Sequence, residues 1–168
     1  MELLHNIFFS CMATKLTRSG KAMLFRNRNV GRRNLGASVG SRNLSNYIGK
    51  DRKGRIEEQE LNRFVEKVVP NNTANRSSVV KLCNALIAYV MEVYQESEWT
   101  LSNVSELATL YSFEEIKASM RDLEKEEGKT VAVKMFRNYQ DVCKTEKEYR
   151  MIAEEIARLV KKYLLMEN

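Results

Sequence analysis

Gly128, Lys129 and Thr130 are the first candidates for chemistry, because Gly-Lys-Thr also ends the phosphate-binding loop of P-loop nucleotide hydrolases. That loop needs a glycine five residues before its Gly-Lys-Thr, so that the backbone curls and its N–H groups face the phosphates. Leu123 occupies this position, and the acidic residues of 122–127 would repel a triphosphate. We therefore predict that Gly128 ends one helix and that another helix begins soon after it.

Residues for nucleophilic or metal chemistry are few in this sequence. The only histidine is His5, so a Ser-His-Asp or Cys-His site would require the N-terminal region to fold onto the rest of the chain. Clustered carboxylates, at 122–127 and at Glu154–Glu155, are interleaved with cations as on a solvated helix face. We therefore expect a protein that is not an enzyme, with no catalytic residue, no metal site and no cofactor.

The cysteines predict a reducing compartment rather than a disulfide-bonded fold. There are three, Cys11, Cys83 and Cys143, which are far apart in sequence and form no Cys-x-x-Cys pair. An odd number at such spacing argues against a disulfide framework and against a zinc site. Cys83 and Cys143 fall on apolar helix faces, which favours packing in the core.

Trp99, the only tryptophan, is the candidate for a partner-binding residue. It lies in the polar stretch QESEW at 95–99, where it either covers the end of a helical bundle or marks a contact surface. Aromatic side chains can also stack on nucleobases, but at helical spacing they are more often core or rim residues. The other aromatic residues considered are Tyr89, Tyr94, Tyr111 and Tyr139.

Charge divides the chain into two parts. Residues 3–50 hold nine Lys and Arg and no acidic residue, whereas 51–168 hold 19 Lys and Arg and 21 Asp and Glu. The formal net charge of +6 therefore belongs to the N-terminal part. Arginines there could neutralise nucleic-acid phosphates and release their counterions. The candidates for this weak, sequence-independent contact are Arg26, Arg28, Arg32, Arg33 and Arg42.

The first fifty residues are rich in Arg, Asn, Gly and Ser and show neither helical nor strand periodicity after residue 9. We expect residues 1–56 to form a flexible basic arm and 57–168 to form the folded domain. Three interpretations of the arm stay open. The first is a nucleic-acid-binding arm. The second is an organellar transit peptide, since the segment is rich in Arg and Ser and poor in acidic residues. The third is a solvated tail or a remnant of a longer ancestor.

Helical periodicity begins at residue 57 and predicts an all-α domain of about six helices, as a bundle or an orthogonal arrangement, with no strand. Residues 77–95 are apolar nearly all round, which predicts a central buried helix. The stretches SFEE at 112–115 and TEKE at 145–148 have the spacing of capping boxes that open two further helices.

No stretch of the sequence is long enough to cross a membrane as a helix. The most apolar run, ALIAYVM at 85–91, is bounded by Asn84 and Glu92 and falls well short of about 20 residues. We expect a cytoplasmic protein, or a mitochondrial matrix protein if the N-terminal part is a transit peptide.

Three stretches carry a resemblance to a known family. They are ELNRFVEKVVPNNT at 60–73, ALIAYVMEVYQESEWTLSNVSELATL at 85–110 and VAVKMFRNYQDVCKT at 131–145. In order and rough spacing, over about half of the chain, they resemble the all-helical domain of type IV secretion coupling proteins, the ATPases of conjugative DNA transfer. The resemblance implies a helical domain that, in the family, is inserted in a RecA-like motor on the cytosolic face of a hexamer and contacts substrate DNA or relaxosome proteins.

The resemblance does not extend to the motor. TRSGKAM at 17–23 looks like the family's phosphate loop, but Lys15 stands where the first Gly is needed and Ala22 stands where Ser or Thr follows the Lys. DRKG at 51–54 is similar to a short motif beyond that loop. NTANRSS replaces the aromatic entry to the central helix, and EKEYR with a long final helix replaces the return to the motor. Neither ATPase activity nor a catalytic residue is therefore implied.

We expect a non-enzymatic helical interaction module associated with DNA transfer, a stand-alone or remnant form of the family's helical domain. Its helices would dock a protein partner, and the arm would add weak nucleic-acid contact. Two alternatives remain. One is an organellar helical protein whose first fifty residues are removed on import. The other is an oligomeric structural subunit of a larger assembly that uses the apolar helix 77–95 as an interface.

Overall fold

The computed structural model describes residues 15–16, 22–23 and 42–166, and the described chain is predominantly helical. The α-helices are α1 (Glu58–Val68), α2 (Arg76–Val93), α3 (Leu101–Leu110), α4 (Phe113–Glu127), α5 (Val131–Gln140) and α6 (Glu146–Met166). Two short 3-10 turns, Leu44–Asn46 and Glu96–Glu98, precede α1 and α3. The predicted all-α class and the predicted number of helices are confirmed.

Two strands of two residues each lie in the basic N-terminal part, where the sequence predicts no strand. β1 (Lys15–Leu16) and β2 (Ala22–Met23) pair antiparallel, with Lys15 opposite Met23 and Leu16 opposite Ala22. A strand of two residues is too short to show the alternation of apolar and polar residues by which strands are recognised in a sequence.

The central helix of the fold is α2, as the sequence predicts. It packs most extensively against α5 and also contacts α1, α3 and α6. Every residue from Ala85 to Met91 is at most 1% exposed, because these helices pack around α2. Burial of each large apolar side chain, such as Leu86 or Ile87, contributes roughly 1.5–3 kcal/mol, so α2 anchors the other helices.

Side-chain caps fix where α4 and α6 begin. The Ser112 hydroxyl accepts a hydrogen bond from the N–H of Glu115 at 3.3 Å, and the Glu115 carboxylate accepts one from the N–H of Ser112 at 2.8 Å. Thr145 and Glu148 make the same reciprocal pair, at 3.2 and 3.0 Å. Both predicted capping boxes are confirmed, and each satisfies backbone donors that a helix start leaves unpaired.

Aromatic residues connect three of the helices at one end of the core. Phe113 of α4 lies 6.3 and 6.2 Å, between ring centroids, from Phe136 and Tyr139 of α5, and 5.4 Å from Tyr149 of α6. The Tyr149 hydroxyl donates to the carbonyl of Ala108 at 3.0 Å, which links α6 to α3. Such pairs contribute about 0.5–1.5 kcal/mol beyond the area they bury.

The folded body begins before residue 57, which corrects the predicted boundary between arm and domain. Leu44, Ile48 and Ile56 are at most 4% exposed and belong to the core. The N–H of Leu44 donates to the carbonyl of Trp99 at 2.7 Å, and Lys50 pairs with Ile56 in an antiparallel bridge. Sequence patterns miss this segment because three widely spaced apolar residues, among polar residues, glycines and charged residues, give no periodic signal.

Candidate functional site

Gly128 and Thr130 have structural roles at the junction of α4 and α5. Gly128 ends α4 with φ +77° and ψ −149°, a conformation that residues with a side chain rarely adopt. Its N–H donates to the carbonyl of Glu124 at 2.9 Å. Thr130 caps α5, since its Oγ1 accepts the N–H of Val133 at 3.3 Å. The prediction that Gly128 ends one helix before another begins is confirmed.

The N-terminus of α5, where a phosphate would bind, holds the protein's own Glu92 carboxylate. Glu92 Oε1 accepts the N–H of Val131 at 3.0 Å, and Oε2 accepts the N–H of Ala132 at 3.2 Å. Burial raises the pKa of Glu92. The hydrogen bond with the Thr130 side chain, those from the N–H groups of Ala132 and Val131, and the charge of Lys50 lower the pKa and oppose this shift. Because an anion already occupies this helix end, the Gly-Lys-Thr stretch is not arranged to receive another.

Trp99 is half-buried, packs against the core and lies beside the C-terminal end of α2. Its indole Nε1–H donates to the carbonyl of Tyr94 at 3.0 Å. The Nζ of Lys50 lies 4.2 Å from the ring centroid and donates to the carbonyl of Met91 at 3.0 Å. This places a cation both on an aromatic face and at the C-terminal end of α2, where the helix dipole favours positive charge.

A cavity of about 700 Å³ opens beside Trp99. Met91, Glu92 and Tyr94 line it from α2 and the residue that follows, and Ile48 and Lys50 line it from the segment before α1. Part of the Trp99 ring therefore stays accessible to a partner, and the partner-binding role of Trp99 stays a prediction. Sequence analysis missed Lys50 and Glu92, since each acts on residues about 40 positions away.

The DRKG stretch at 51–54 forms a tight turn. Asp51 Oδ1 accepts the N–H groups of Lys53 and Arg55 at 2.8 and 2.9 Å, and Gly54 has φ +75°. The hydrogen bond from the Arg55 N–H is the main cause that lowers the pKa of Asp51. A groove of about 710 Å³ separates this turn from the α4–α5 junction. Its walls carry charges of both signs, so it has no evident preference for anions.

The arginines proposed for nucleic-acid contact are not brought together by the described part of the chain. Arg42 lies at the start of the folded body, where it is exposed. Arg26, Arg28, Arg32 and Arg33 lie outside the described residues. The prediction of a flexible arm likewise concerns residues outside them, apart from 42–56, which pack on the helices.

Two of the cysteines, and two of the four tyrosines considered for stacking, are core residues of the described chain. Cys83 is fully buried, and desolvation raises its pKa to about 12, so it remains a thiol near neutral pH. Cys143 is 3% exposed, and its Sγ lies 3.7 Å from the carbonyl of Thr145. Tyr89 and Tyr139 are at most 1% exposed, and burial raises the pKa of both. Core packing of both cysteines is confirmed.

Within residues 42–166, no helix combines the length and the hydropathy needed to cross a lipid bilayer. In the same part of the chain, no three His, Cys, Asp or Glu side chains gather as a set that could ligate a metal ion.

Comparison with known proteins identifies no relative. No protein-family model matches the chain, and no curated protein or solved structure does. The resemblance to coupling proteins therefore rests on the three stretches described above.

Proposed function

We propose that this protein is a non-enzymatic helical interaction module associated with conjugative DNA transfer. Its helical body docks a protein partner, and its N-terminal part makes weak, sequence-independent contact with nucleic acid. The observation that carries this proposal is the division of charge. Residues 1–41 hold seven Lys and Arg and one acidic residue, whereas 42–168 hold 21 basic and 21 acidic residues.

Three groups of the described body that could take part in chemistry have structural roles instead, which favours a docking role. Glu92 caps α5, Cys83 is a buried thiol, and the Tyr149 hydroxyl bonds to the backbone of α3. Trp99, beside its cavity, is the residue we assign to contact with the partner. Large half-exposed aromatic side chains next to a cavity are typical of residues that anchor an interface.

The resemblance of 60–73, 85–110 and 131–145 to the helical domain of coupling proteins is what connects the module to DNA transfer. In that family the helical domain contacts substrate DNA or relaxosome proteins. A helical body with a basic N-terminal part provides both kinds of contact in one chain.

The test is a fluorescence-anisotropy titration of labelled random-sequence DNA and RNA with the full chain. The matched variant replaces Arg26, Arg28, Arg32 and Arg33 by Ala and leaves the folded body unchanged. Wild-type affinity should fall steeply between about 50 and 150 mM salt, because each neutralised phosphate releases counterions. The variant should bind more weakly and with a smaller salt slope. Binding that is insensitive to salt, or equal in both proteins, would overturn the nucleic-acid part of the proposal.

A further inference from the structure

Asn84 of α2 is the only carboxamide or charged side chain that is buried in the described chain, at 4% exposure. Its amide nitrogen Nδ2 donates to Oδ1 of Asn62 on α1 at 2.9 Å. Its own Oδ1 is buried as well, and no group of the described residues donates a hydrogen bond to it. Buried acceptors rarely lack a donor, because burial removes the hydrogen bonds that water would supply. One half of the Asn84 amide is therefore left for another group.

Residues of α1, α2 and α5 line a cavity of about 430 Å³, and Asn84 is one of them. Asn62 and Asn138 contribute two further carboxamides to the lining, and Met135 contributes an apolar side chain. Asn62 is exposed on α1, so its side chain can turn aside and leave both groups of the Asn84 amide to a ligand. A cavity with a few convergent polar groups, one of them an unpaired buried acceptor, is typical of a site for a small polar group.

The charges that line this cavity cancel. Lys134 pairs with Glu58, with 2.8 Å between Nζ and Oε2. Lys81 and Asp141 form no ion pair with another described residue, and their two charges are opposite. A lining without net charge favours an uncharged ligand group over a phosphate or a carboxylate. None of the described residues that line the cavity is aromatic, so a nucleobase would find no ring on which to stack.

We propose that this cavity, the Asn84 pocket, binds the carboxamide side chain of a Gln or Asn residue of the protein partner. A primary carboxamide carries its C=O and an N–H on one edge, so it can accept from Asn84 Nδ2 and donate to Asn84 Oδ1 together. A trans peptide group points its C=O and N–H in opposite directions, and a carboxylate has no N–H, so neither can do both. This proposal rests on the docking role proposed above and adds a second contact to the one assigned to Trp99.

The ligand test titrates the isotope-labelled full chain with N-acetylglutamine methylamide and follows the side-chain amide resonances of Asn84 and Asn62 by NMR. A ligand of this size should bind with a Kd of about 1 mM. The glutamate analogue has the same shape but no amide donor and should bind at least tenfold more weakly. Equal binding of both, or binding of neither, would overturn the proposal. Adenosine is the third ligand, and its binding in preference to capped glutamine would also overturn the proposal.

The site test compares three substitutions. Asn84→Leu removes both amide groups at similar volume and should abolish binding of capped glutamine, whereas Asn72→Leu, at an exposed position outside the pocket, should bind as the wild type does. Asn62→Ala removes the side chain that competes for Asn84 Nδ2, so it should bind capped glutamine at least as tightly as the wild type. Binding that survives in Asn84→Leu, or that weakens in Asn62→Ala, would overturn the assignment to Asn84. Circular dichroism of each variant establishes that it is folded.

The Asn84 pocket and the proposed function fail separately, because the titration with capped glutamine contains no nucleic acid. If capped glutamine does not bind while DNA binding depends on salt and on the N-terminal arginines, the pocket is wrong and the nucleic-acid contact stands. If capped glutamine binds while DNA binding is insensitive to salt, the nucleic-acid contact is wrong and the pocket stands.

Discussion

At the scale of single residues, Glu92 is the side chain whose loss should disturb the most structure. Its carboxylate holds the first N–H groups of α5 from the end of α2. Glu92→Ala should lower the free energy of unfolding by about 2 kcal/mol, since it removes charged hydrogen bonds and leaves buried donors unpaired. Glu92→Gln keeps one acceptor and should cost less. Urea denaturation at pH 7 measures both, with the exposed Glu96→Ala as a control that should be near neutral.

Glu92 also predicts a pH dependence with a definite sign. Burial raises its pKa above the unfolded value of 4.5, so the folded state binds the proton more tightly than the unfolded state does. This contribution is fully present below pH 4.5 and is lost as the pH rises through the folded pKa. The wild type should therefore lose stability relative to Glu92→Gln between pH 4.5 and 7. A stability difference that is constant over this range would contradict the assignment.

The buried thiols should be unreactive in the folded protein. Burial raises the pKa of Cys83 to about 12, so the group stays a thiol at pH 8, and its sulfur has no access to solvent. In a Cys11→Ser variant, a thiol reagent should label neither Cys83 nor Cys143 until denaturant is added, when it should label both. Rapid labelling of Cys83 without denaturant would mean that α2 opens far more easily than its burial implies.

At the scale of helices, the start of α6 provides the opposite pH dependence. Hydrogen bonds from the N–H of Lys144 and from Thr145 lower the pKa of Glu148 in the folded state. The stability that this carboxylate contributes is present above the unfolded pKa of 4.5 and is lost as the pH falls through the folded pKa. Glu148→Gln should therefore lose less stability than the wild type when the pH is lowered from 7 to about 3.5.

The control for Glu148 is Glu154→Gln. Glu154 is an exposed glutamate of the same helix that takes part in no hydrogen bond or ion pair within the described chain. Both variants carry the same change of charge, and urea denaturation at the two pH values compares them. If the two behave alike, the acid sensitivity belongs to the net charge of α6 rather than to its capping box.

Helices were predictable here because their causes are local. The capping boxes at 112–115 and 145–148 involve residues three apart, and the apolar run at 85–91 needs no knowledge of its neighbours. The contacts that organise the candidate site join distant residues. Lys50 forms a hydrogen bond with the carbonyl of Met91, and Glu92 accepts one from the N–H of Val131. Contacts between residues so far apart in the chain produce no periodic pattern in the sequence.

At the scale of the whole molecule, charge predicts a basic part and a neutral part but does not place the boundary between them. Composition puts residues 42–56 with the basic part, whereas packing puts them with the helices. The same segment supplies Lys50, whose Nζ lies over the Trp99 ring. Residues that composition alone assigns to an arm therefore help to build the candidate site beside Trp99.

The position of this boundary leads to a prediction about global stability. Leu44 is fully buried, and its N–H bonds to Trp99, so Leu44→Ala should lower the free energy of unfolding by about 2–4 kcal/mol through lost burial and a residual cavity. Ser45→Ala, at an exposed neighbouring position, should be nearly neutral. Urea denaturation followed by Trp99 fluorescence reports on the whole body, because Trp99 contacts this segment directly. Equal stability of the two variants would return residues 42–48 to the arm. A selective loss in Leu44→Ala would mean that any fragment beginning at residue 57 lacks part of its core.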